Sequence, residues 1–408
     1  MTTQRNHHRR ASRRRFLKTV GAAALPLVLP ASVFAQAGRP PASERIVMAT
    51  IGTGSQGTGD MGGFMGFPEV QMVAVCDVVP EHRERAQQRV NEKYGNKDCK
   101  AYSDFREVLA RPDIDAVLIG TPDHWHALIS IEACRHGKDI YCEKPESLTV
   151  REGRAMVEAV RRYGRVFSGG SQRVLGDYGD WPRQIWGGAL GRVQEVFVEC
   201  GGPSGECNLP EQPVPAGLDW EMWLGPAPWR PFHESLIRGG FRPYRDYSGG
   251  GMTDWGAHRF GAAMFAVGLH LTGPTEITPP DGGEHRYLTY RFANGLRMYH
   301  GGSSNITYRG TEGSLPGRHR MPPHRVDMPT YRGRGGIFGD FLHCVRTRER
   351  PFRDVEIAHR ACTVCHLGNI AYWLKRPVKW DPVAEQIIGD PEANRWLDRP
   401  KREPWAIS

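Results

Sequence analysis

Residues 46–57 read IVMATIGTGSQG and decide the fold of this 408-residue chain. The first six residues are apolar and rich in β-branched side chains, so they predict a buried strand. The rest is a complete G-x-G-x-x-G motif, whose glycines allow a tight turn, a close approach of the backbone to a pyrophosphate and close packing of the following helix. The motif predicts that a dinucleotide binds on the loop formed by Gly52, Thr53, Gly54, Ser55, Gln56 and Gly57.

A second apolar stretch, residues 70–76, ends at Asp77. A carboxylate at this position accepts hydrogen bonds from the ribose hydroxyls of NAD and repels the 2′-phosphate of NADP. We therefore expect NAD as the cofactor, with NADP less favoured. Without the two strands around it, the glycine motif could also be an ordinary turn.

Basic residues are concentrated near the start of the chain. The formal net charge is +9, but residues 1–37 contain seven arginines and lysines and no acidic residue, so without them the net charge is +2. A nucleic-acid partner requires a basic surface on the folded part of a protein. We therefore expect no nucleic-acid partner.

The basic segment has the features of a targeting signal. Residues 12–18, SRRRFLK, resemble the twin-arginine export motif, and a short apolar stretch with two prolines precedes the A-x-A tripeptide at 35–37. The stretch is too short to span a membrane, so we expect 1–37 to be removed, leaving no membrane span. The alternative is a disordered basic tail with no role in export.

The resemblance to the twin-arginine pathway implies export of an already folded chain. We expect a periplasmic or otherwise exported protein that loads its cofactor in the cytoplasm. Because free NAD is expected to be scarce outside the cytoplasm, the cofactor should be tightly bound.

Strands and helices alternate from residue 38 to about residue 168. Units of this length predict a parallel sheet, as in a Rossmann nucleotide-binding domain, with ligands at the carboxyl ends of the strands. The predicted elements are strands 70–76, 115–120 and 139–142, and helices 55–67, 80–94, 104–110 capped by Ser103, 126–136, and 149–163 capped by Thr149.

The pattern changes in residues 169–408, which we expect to form a second α/β domain with an open, mainly antiparallel sheet. Apolar residues there alternate with tyrosine and arginine, which is typical of strands with one face in water. The predicted elements are strands 192–200, 286–292 and 296–299, a helix at 355–374, a long functional or poorly ordered loop at 203–247 and irregular structure at 315–336.

Lys144 follows a predicted parallel strand, in the sequence Cys142-Glu143-Lys144-Pro145. It therefore lies at the ligand edge of the sheet, and Pro145 biases it towards an extended conformation. The positive charge of a neighbouring NAD⁺ disfavours the ammonium form and makes a lysine a more useful proton carrier near neutrality. The alternative is a solvated surface charge.

Asp254 and His258 follow three consecutive glycines. If a helix starts near Thr253, the two side chains are four residues apart and share a face. A histidine oriented by a carboxylate can take a proton from a hydroxyl while hydride leaves the same carbon. The alternative is a helix cap and a histidine with a purely structural role.

A third set of polar residues follows the strand that ends at Gly120. It reads Thr121-Pro122-Asp123-His124-Trp125-His126 and falls on the same ligand edge, so Thr121, Pro122 and His126 are candidates to line the nicotinamide pocket. Packing of Trp125 and helix capping by Asp123 are equally compatible with the pattern.

These motifs together resemble the Gfo/Idh/MocA family of NAD(P)-dependent oxidoreductases, named after glucose–fructose oxidoreductase, inositol dehydrogenase and a rhizopine-catabolism protein. The resemblance covers nearly the whole chain after residue 37. It implies that the open sheet of the second domain forms the substrate floor and often an oligomer interface, so we expect a homo-oligomer. It also implies that Lys144, Asp254 and His258 form the catalytic group, with His258 as the general base and Lys144 holding the reacting hydroxyl.

Nine cysteines, an odd number mostly within apolar runs, predict buried thiols rather than a disulfide framework. Residues 362–366 read CTVCH, which matches the haem-attachment pattern. Attachment of haem c follows export of an unfolded chain, which conflicts with a folded-export signal, and the motif lies in an apolar helical pattern. We therefore expect neither haem nor a bound metal.

Three functions remain open. The first is an oxidoreductase acting on a hydroxyl or keto carbon of a sugar, polyol or glycoside, with retained NAD. The second is a glycoside hydrolase or lyase that uses NAD transiently, with no net redox change. The third, a non-catalytic sensor, has no need of a proton relay. Candidate contacts to a sugar, for which packing is an alternative, are Trp220, Trp223, Trp229, Arg242 and Tyr244.

Overall fold

The computed structural model describes residues 40–176, 178, 180–321 and 326–407. The predicted signal segment, 1–37, lies outside these residues. Residues from Ile46 onward form one unit. Residues 40–45 belong to another and contain a short 3-10 helix at Ala42–Glu44.

A six-stranded parallel sheet forms the first half of the fold. Its strands are β1 (Ile46–Ile51), β2 (Val70–Cys76), β3 (Lys100–Tyr102), β4 (Ala116–Ile119), β5 (Asp139–Cys142) and β6 (Phe167–Gly169). Their order, β3-β2-β1-β4-β5-β6, is that of dinucleotide-binding sheets. Ile51 pairs with Cys76 and Ile119, and Ile119 pairs with Cys142. The residues that follow these four strands therefore meet at one edge of the sheet.

Five helices connect these strands. They are α1 (Ser55–Phe64), α2 (Pro80–Tyr94), α3 (Phe105–Leu109), α4 (Asp123–Arg135) and α5 (Val150–Tyr163). The hydroxyl of Thr149 caps α5, as the sequence predicts. The predicted cap of α3 was wrong, because the carboxylate of Asp104, not Ser103, accepts a backbone N–H of its first turn. Helix α4 begins three residues before its predicted start, because Pro122 supplies an extended N-cap and the helix follows at once.

The second half contains a mainly antiparallel sheet of eight strands. They are β7 (Val193–Val198), β8 (Glu276–Thr278), β9 (Leu288–Arg291), β10 (Arg297–His300), β11 (Ile306–Gly310), β12 (Gly313–Leu315), β13 (Val378–Asp381) and β14 (Gln386–Ile387). Their order is β12-β11-β7-β10-β9-β8-β13-β14. Strands β7 and β10 pair in parallel, so an antiparallel arrangement was a wrong prediction for these two. The long connection between them, which contains several helices, returns the chain to the same end of the sheet. The fold class predicted from the sequence is confirmed.

The described part of the second half also contains the helices α6 (Trp181–Trp186), α7 (Trp220–Leu224), α8 (Gly251–Asp254), α9 (Gly256–Ala266), α10 (Gly336–Thr347), α11 (Val355–Leu374) and α12 (Pro391–Arg395). Helices α6, α9 and α11 pack against the second sheet and contribute to its core, whereas α10 packs against the first sheet and α7 belongs to a separate small core. Helix α11 has the bounds predicted from the sequence. The core contains Phe260 of α9, Leu367 of α11, and Tyr290 and Met298 of the sheet, all fully buried. The domain boundary after residue 168 stays a prediction.

The long segment 203–247 is ordered around a small core of its own. Trp220 and Trp223 stack at 4.8 Å, and Phe232 and Tyr247 pack against them edge to face. The backbone carbonyl of Trp223 accepts hydrogen bonds from the side chains of His124 and Trp125 in α4. These contacts attach the segment to the first half of the fold. Of the candidate sugar contacts, Trp220 and Trp223 therefore serve packing.

The segment 315–336 is irregular in the part that the structure describes, apart from its two ends, Leu315 in β12 and Gly336 in α10. This agrees with the prediction. Within the described residues, no helix is both long and apolar enough to cross a membrane.

Candidate active site

A cleft of about 460 Å³ opens at the carboxyl edge of the first sheet. Its volume is within the range of small-ligand sites. One wall consists of the loops that follow β1, β2, β4 and β5, and the other includes Met222, Trp223 and residues 236–242 of the long segment. The predicted site residues that line the cleft are Gly52, Gly54, Ser55, Gln56, Asp77, Thr121, Pro122, His126, Glu143 and Lys144.

The three glycines of the loop meet different constraints. Gly52 has a φ of +86°, and a Cβ there would lie 2.4 Å from the backbone nitrogen of Thr121. A Cβ on Gly57 would lie 2.0 Å from the carbonyl oxygen of Gly52. A Cβ on Gly54 would meet no atom within 4 Å, so this position leaves room for a ligand to approach the backbone. Helix α1 begins at the next residue, and its first N–H groups lack partners within the helix, which suits a pyrophosphate.

Asp77 is held rigidly at the end of β2. Its Oδ2 atom accepts hydrogen bonds from the backbone N–H of Thr53 at 2.7 Å and from the Thr53 hydroxyl at 3.2 Å. Its Oδ1 atom accepts the N–H of Val79 at 2.9 Å. Thr53 is fully buried and does not line the cleft, so its side chain positions Asp77 rather than reaching a ligand. The residues around the loop fit a dinucleotide.

His126 joins the loops that follow β4 and β5. Its Nδ1 atom lies 2.7 Å from the carbonyl oxygen of Pro145, and its Nε2 atom lies 2.8 Å from that of Thr121. Burial lowers the pKa of His126. The ring therefore connects the two loops through their carbonyl oxygens.

Lys144 and Asp254 form an ion pair between the two halves of the fold. Lys144 Nζ lies 2.6 Å from Asp254 Oδ1, although the residues are 110 positions apart in the chain. Arg242 Nε lies 3.2 Å from the same oxygen. Burial by itself raises the pKa of Asp254, but the charges of Lys144 and Arg242 hold it below its usual value. An ammonium group is thus fixed at the edge where the cleft opens.

His258 lies close to this pair but has a different partner. The predicted single helix is two helices, α8 and α9, which are interrupted at Trp255. Asp254 bonds the two cations, while His258 Nδ1 lies 2.7 Å from the hydroxyl of Ser171. The prediction that Asp254 orients His258 was therefore wrong, because the helix break and the two cations direct the carboxylate elsewhere.

The surroundings of His258 keep its ring neutral. The side chain is 4% exposed. Burial, followed by the positive charges of Lys144, Arg173, Arg353 and Arg259, lowers the pKa of His258 to about 2. The site thus combines an ammonium donor with a neutral imidazole, a pair of groups suited to proton exchange with a hydroxyl or carbonyl oxygen.

Comparison with known protein families agrees with both halves of this architecture. The family model described as "Oxidoreductase family, NAD-binding Rossmann fold" matches residues 46–171, and its companion, "Oxidoreductase family, C-terminal alpha/beta domain", matches residues 200–407. This chain belongs to the Gfo/Idh/MocA oxidoreductase family. The resemblance predicted from the glycine loop and the Lys144 motif is confirmed.

Solved structures of other proteins share the Gfo/Idh/MocA fold of this chain. The WlbA dehydrogenase of Chromobacterium violaceum, in complex with NADH and UDP-GlcNAcA, has a TM-score of 0.61 and 16% identity, covering 84% of this chain and 98% of that one. The aldose–aldose oxidoreductase of Caulobacter crescentus, complexed with glycerol, has a TM-score of 0.58 and 20% identity, covering 82% of this chain and 99% of that one.

One curated relative is named for a different activity. A glycosyl hydrolase family 109 protein of Shewanella baltica is 31% identical over 169 residues, which are 37% of this chain and 37% of that protein. The chain thus matches only about a third of the length of this relative.

Sequence reasoning missed two residues of this Gfo/Idh/MocA site. Ser171 pairs with His258 from 87 positions away, and no local pattern distinguishes it. Asp60 is buried beside Glu143, and its Oδ1 atom accepts hydrogen bonds from the side-chain amides of Gln56 and Gln172. The sequence feature that could have identified Asp60 is its position: it is an acidic residue three positions after the glycine motif, on a helix that must pack against the sheet.

The haem-like motif does not line the cleft. Cys362, Cys365 and His366 are buried in α11, where His366 Nε2 lies 3.1 Å from the carbonyl oxygen of Ser147. Eight of the nine cysteines are buried as predicted, and Cys207 is partly exposed. In the part of the chain that the structure describes, no cluster of histidine, cysteine and acidic residues could hold a metal ion.

Proposed function

We propose that this member of the Gfo/Idh/MocA family moves hydride between a tightly bound NAD and a hydroxyl or keto carbon of a sugar, polyol or glycoside. The observation that carries the proposal is the 2.6 Å ion pair of Lys144 and Asp254, since Lys144 lines the same cleft as the glycine loop. The pair brings a proton carrier from the first sheet together with a helix of the second half.

The backbone at residues 54–57 would hold the pyrophosphate of the cofactor, and Asp77 its ribose hydroxyls. The fixed carboxylate of Asp77 supports NAD over NADP. When bound, NAD supplies the hydride acceptor, and its reduced form the hydride donor.

Lys144 carries the proton in this proposal. It gives a proton to the carbonyl oxygen when a keto group is reduced, and takes one from the hydroxyl in the opposite direction. Asp254 holds the ammonium group in place, and Arg242 bonds the same carboxylate oxygen. The depressed pKa of His258 makes its ring a weak base, so we assign it a hydrogen bond to the substrate hydroxyl rather than the role of general base.

Three further expectations belong to the same proposal. The substrate is a small carbohydrate, for which Arg242 in the cleft wall is a candidate contact. The chain is exported in folded form by the twin-arginine pathway, on the basis of residues 12–18. It assembles into a homo-oligomer, for which the open sheet of the second half is the candidate interface. Cell fractionation tests the export, and the molecular mass in solution tests the oligomeric state.

The first test is analysis of the small molecules released when the purified protein is denatured. One NAD or NADH per chain, identified by mass spectrometry, is the expected result. If nothing is released and added NAD fails to bind, the proposal is wrong. A panel of sugars and glycosides, monitored for both redox change and bond cleavage, then identifies the reaction.

A second candidate is a glycoside hydrolase or lyase that oxidises a sugar hydroxyl only transiently. The names of the family 109 relatives favour it. Glycoside cleavage without net change in NADH supports this candidate, whereas net reduction of an added keto sugar supports the first. Full biological function of a Lys144→Ala, His258→Ala double variant would exclude both enzymes and leave a sensor role.

A further inference from the structure

Two buried carboxyl groups meet beside the proposed proton carrier. Glu143 directly precedes Lys144 and lines the cleft, and Asp60 lies on α1. The two residues are 4% and 5% exposed. One amide nitrogen, that of Gln172, lies 3.4 Å from Asp60 Oδ1 and 2.8 Å from Glu143 Oε1, so the two carboxyl groups are neighbours. Two ionised carboxylates this close repel each other in a buried site, and a proton on one of them removes that repulsion.

The neighbouring donors leave one position for that proton. Asp60 Oδ1 lies 3.1 Å from the Gln56 amide nitrogen and 3.4 Å from that of Gln172. The Gln172 amide nitrogen also donates to Glu143 Oε1 at 2.8 Å. Asp60 Oδ2 is buried and has no donor. This oxygen is therefore free to carry the proton.

The charges around the pair favour a single proton rather than two or none. Burial raises the pKa of both Asp60 and Glu143, so the doubly ionised state is costly. The positive charge of Lys144 acts in the opposite direction and lowers the pKa of both groups, which favours one negative charge on the pair. Asp254, another carboxylate beside Lys144, is already paired with two cations.

We propose that Asp60 and Glu143 share one proton at neutral pH and present a single negative charge at the Lys144 side of the cleft, which favours bound NAD⁺ over bound NADH. The inference rests on the proposed binding of NAD. The nicotinamide ring is positively charged only when it is oxidised, so a fixed negative charge nearby stabilises that form. A retained cofactor would then rest in the state that accepts hydride from a hydroxyl.

The test compares dissociation constants of NAD⁺ and NADH for the cofactor-stripped wild type, D60N, E143Q and the double variant D60N/E143Q. Each amide replaces a protonated acid and keeps its hydrogen bond, so each single variant retains one negative charge. We expect the ratio of the two constants to stay within about twofold in the single variants. In the double variant the preference for NAD⁺ over NADH should fall about tenfold. This corresponds to a shift of about 30 mV in the reduction potential of the bound cofactor, a two-electron couple.

Other outcomes overturn the proposal. If both acids are ionised, each single variant shifts the ratio and the double variant shifts it further. If both are protonated, no variant shifts it. Glu81→Gln is the matched control, because Glu81 is an exposed acid on the same cleft near Asp77, where the two cofactor forms carry the same charge.

Infrared difference spectroscopy tests the shared proton without any cofactor. The spectrum of wild type minus the double variant should contain one carboxylic-acid band and one carboxylate band at neutral pH. Two carboxylate bands, or two acid bands, would overturn the inference. A wild type that shows the expected bands but binds neither NAD⁺ nor NADH would instead refute the proposed function.

Discussion

The glycine loop and the proposed catalytic group, Lys144, Asp254 and His258, are built in opposite ways. The loop is a continuous stretch of sequence, and its shape requires glycine. A Cβ on Gly57 would lie 2.0 Å from a backbone oxygen. The catalytic group is assembled from distant positions by charge and hydrogen bonding, with 110 residues between the ion-pair partners. The two parts should therefore fail differently when they are altered: the loop in folding and cofactor retention, the catalytic group in chemistry.

The largest effect is expected for Lys144→Met. Removing the proton carrier should lower kcat about 10³-fold, or about 4 kcal/mol in transition-state free energy. The NAD content of the purified protein should not change, because the loop remains intact. Steady-state kinetics and mass spectrometry measure the two effects, with Lys97→Met, at an exposed turn, as the control. Loss of NAD together with activity would show that the two parts are not separable.

Gly57→Ala should destabilise the glycine loop and reduce the retention of NAD. The added Cβ must displace the backbone at Gly52, which we expect to cost about 3 kcal/mol of unfolding free energy and most of the retained NAD. Gly59→Ala is the matched control on the same helix, because a Cβ there meets nothing within 4 Å and alanine favours a helix. Urea denaturation compares the two variants. Equal stability would contradict the assigned role of the third glycine.

His258 should make the protein less stable in mild acid. Its pKa is about 2 in the folded chain and near 6.5 when unfolded. Between these values the unfolded chain binds more protons, so stability falls as the pH falls. From pH 7 to pH 5 the contribution of His258 should be about 2 kcal/mol, and His258→Gln should remove it. Exposed His136→Gln is the control for urea denaturation at both pH values. An unchanged pH dependence in His258→Gln would mean that the ring titrates normally.

The smallest effect is expected for Ser171→Ala. Loss of the hydroxyl removes the partner of His258 Nδ1, at a cost of about 1 kcal/mol, or about fivefold in kcat. NAD content and KM for the cofactor should not change. Ser103→Ala is the control, since Asp104 caps the neighbouring helix without it. A change in NAD retention would place Ser171 with the loop instead of the catalytic group.

The elements of the first half could be read from the sequence because their signals are local. A short apolar run, a glycine motif and an acid at the next strand end are sufficient for β1, α1 and the position of Asp77, and Thr149 marks the start of α5. The bounds of the other predicted strands are within three residues of the observed ones. The parallel pairing of β7 and β10 was missed because it depends on the path of a long connection.

The segment 203–247 was ambiguous for a related reason. Its tryptophans could equally stack on a sugar or on one another, and their composition does not distinguish the two outcomes. Trp220 and Trp223 bury each other, whereas Arg242 reaches the cleft and Asp254.

The sequence by itself determined the dinucleotide loop, the fold class and the residue types available for catalysis, because hydrophobic periodicity and glycine sterics act over a few neighbouring positions. Only the tertiary structure decided which charges meet. Lys144 pairs with Asp254, His258 pairs with Ser171, and Glu143 meets Asp60, because these contacts depend on how the two sheets and their helices bring distant residues together. The protonation of each group follows from that burial and those neighbours, which no local pattern contains.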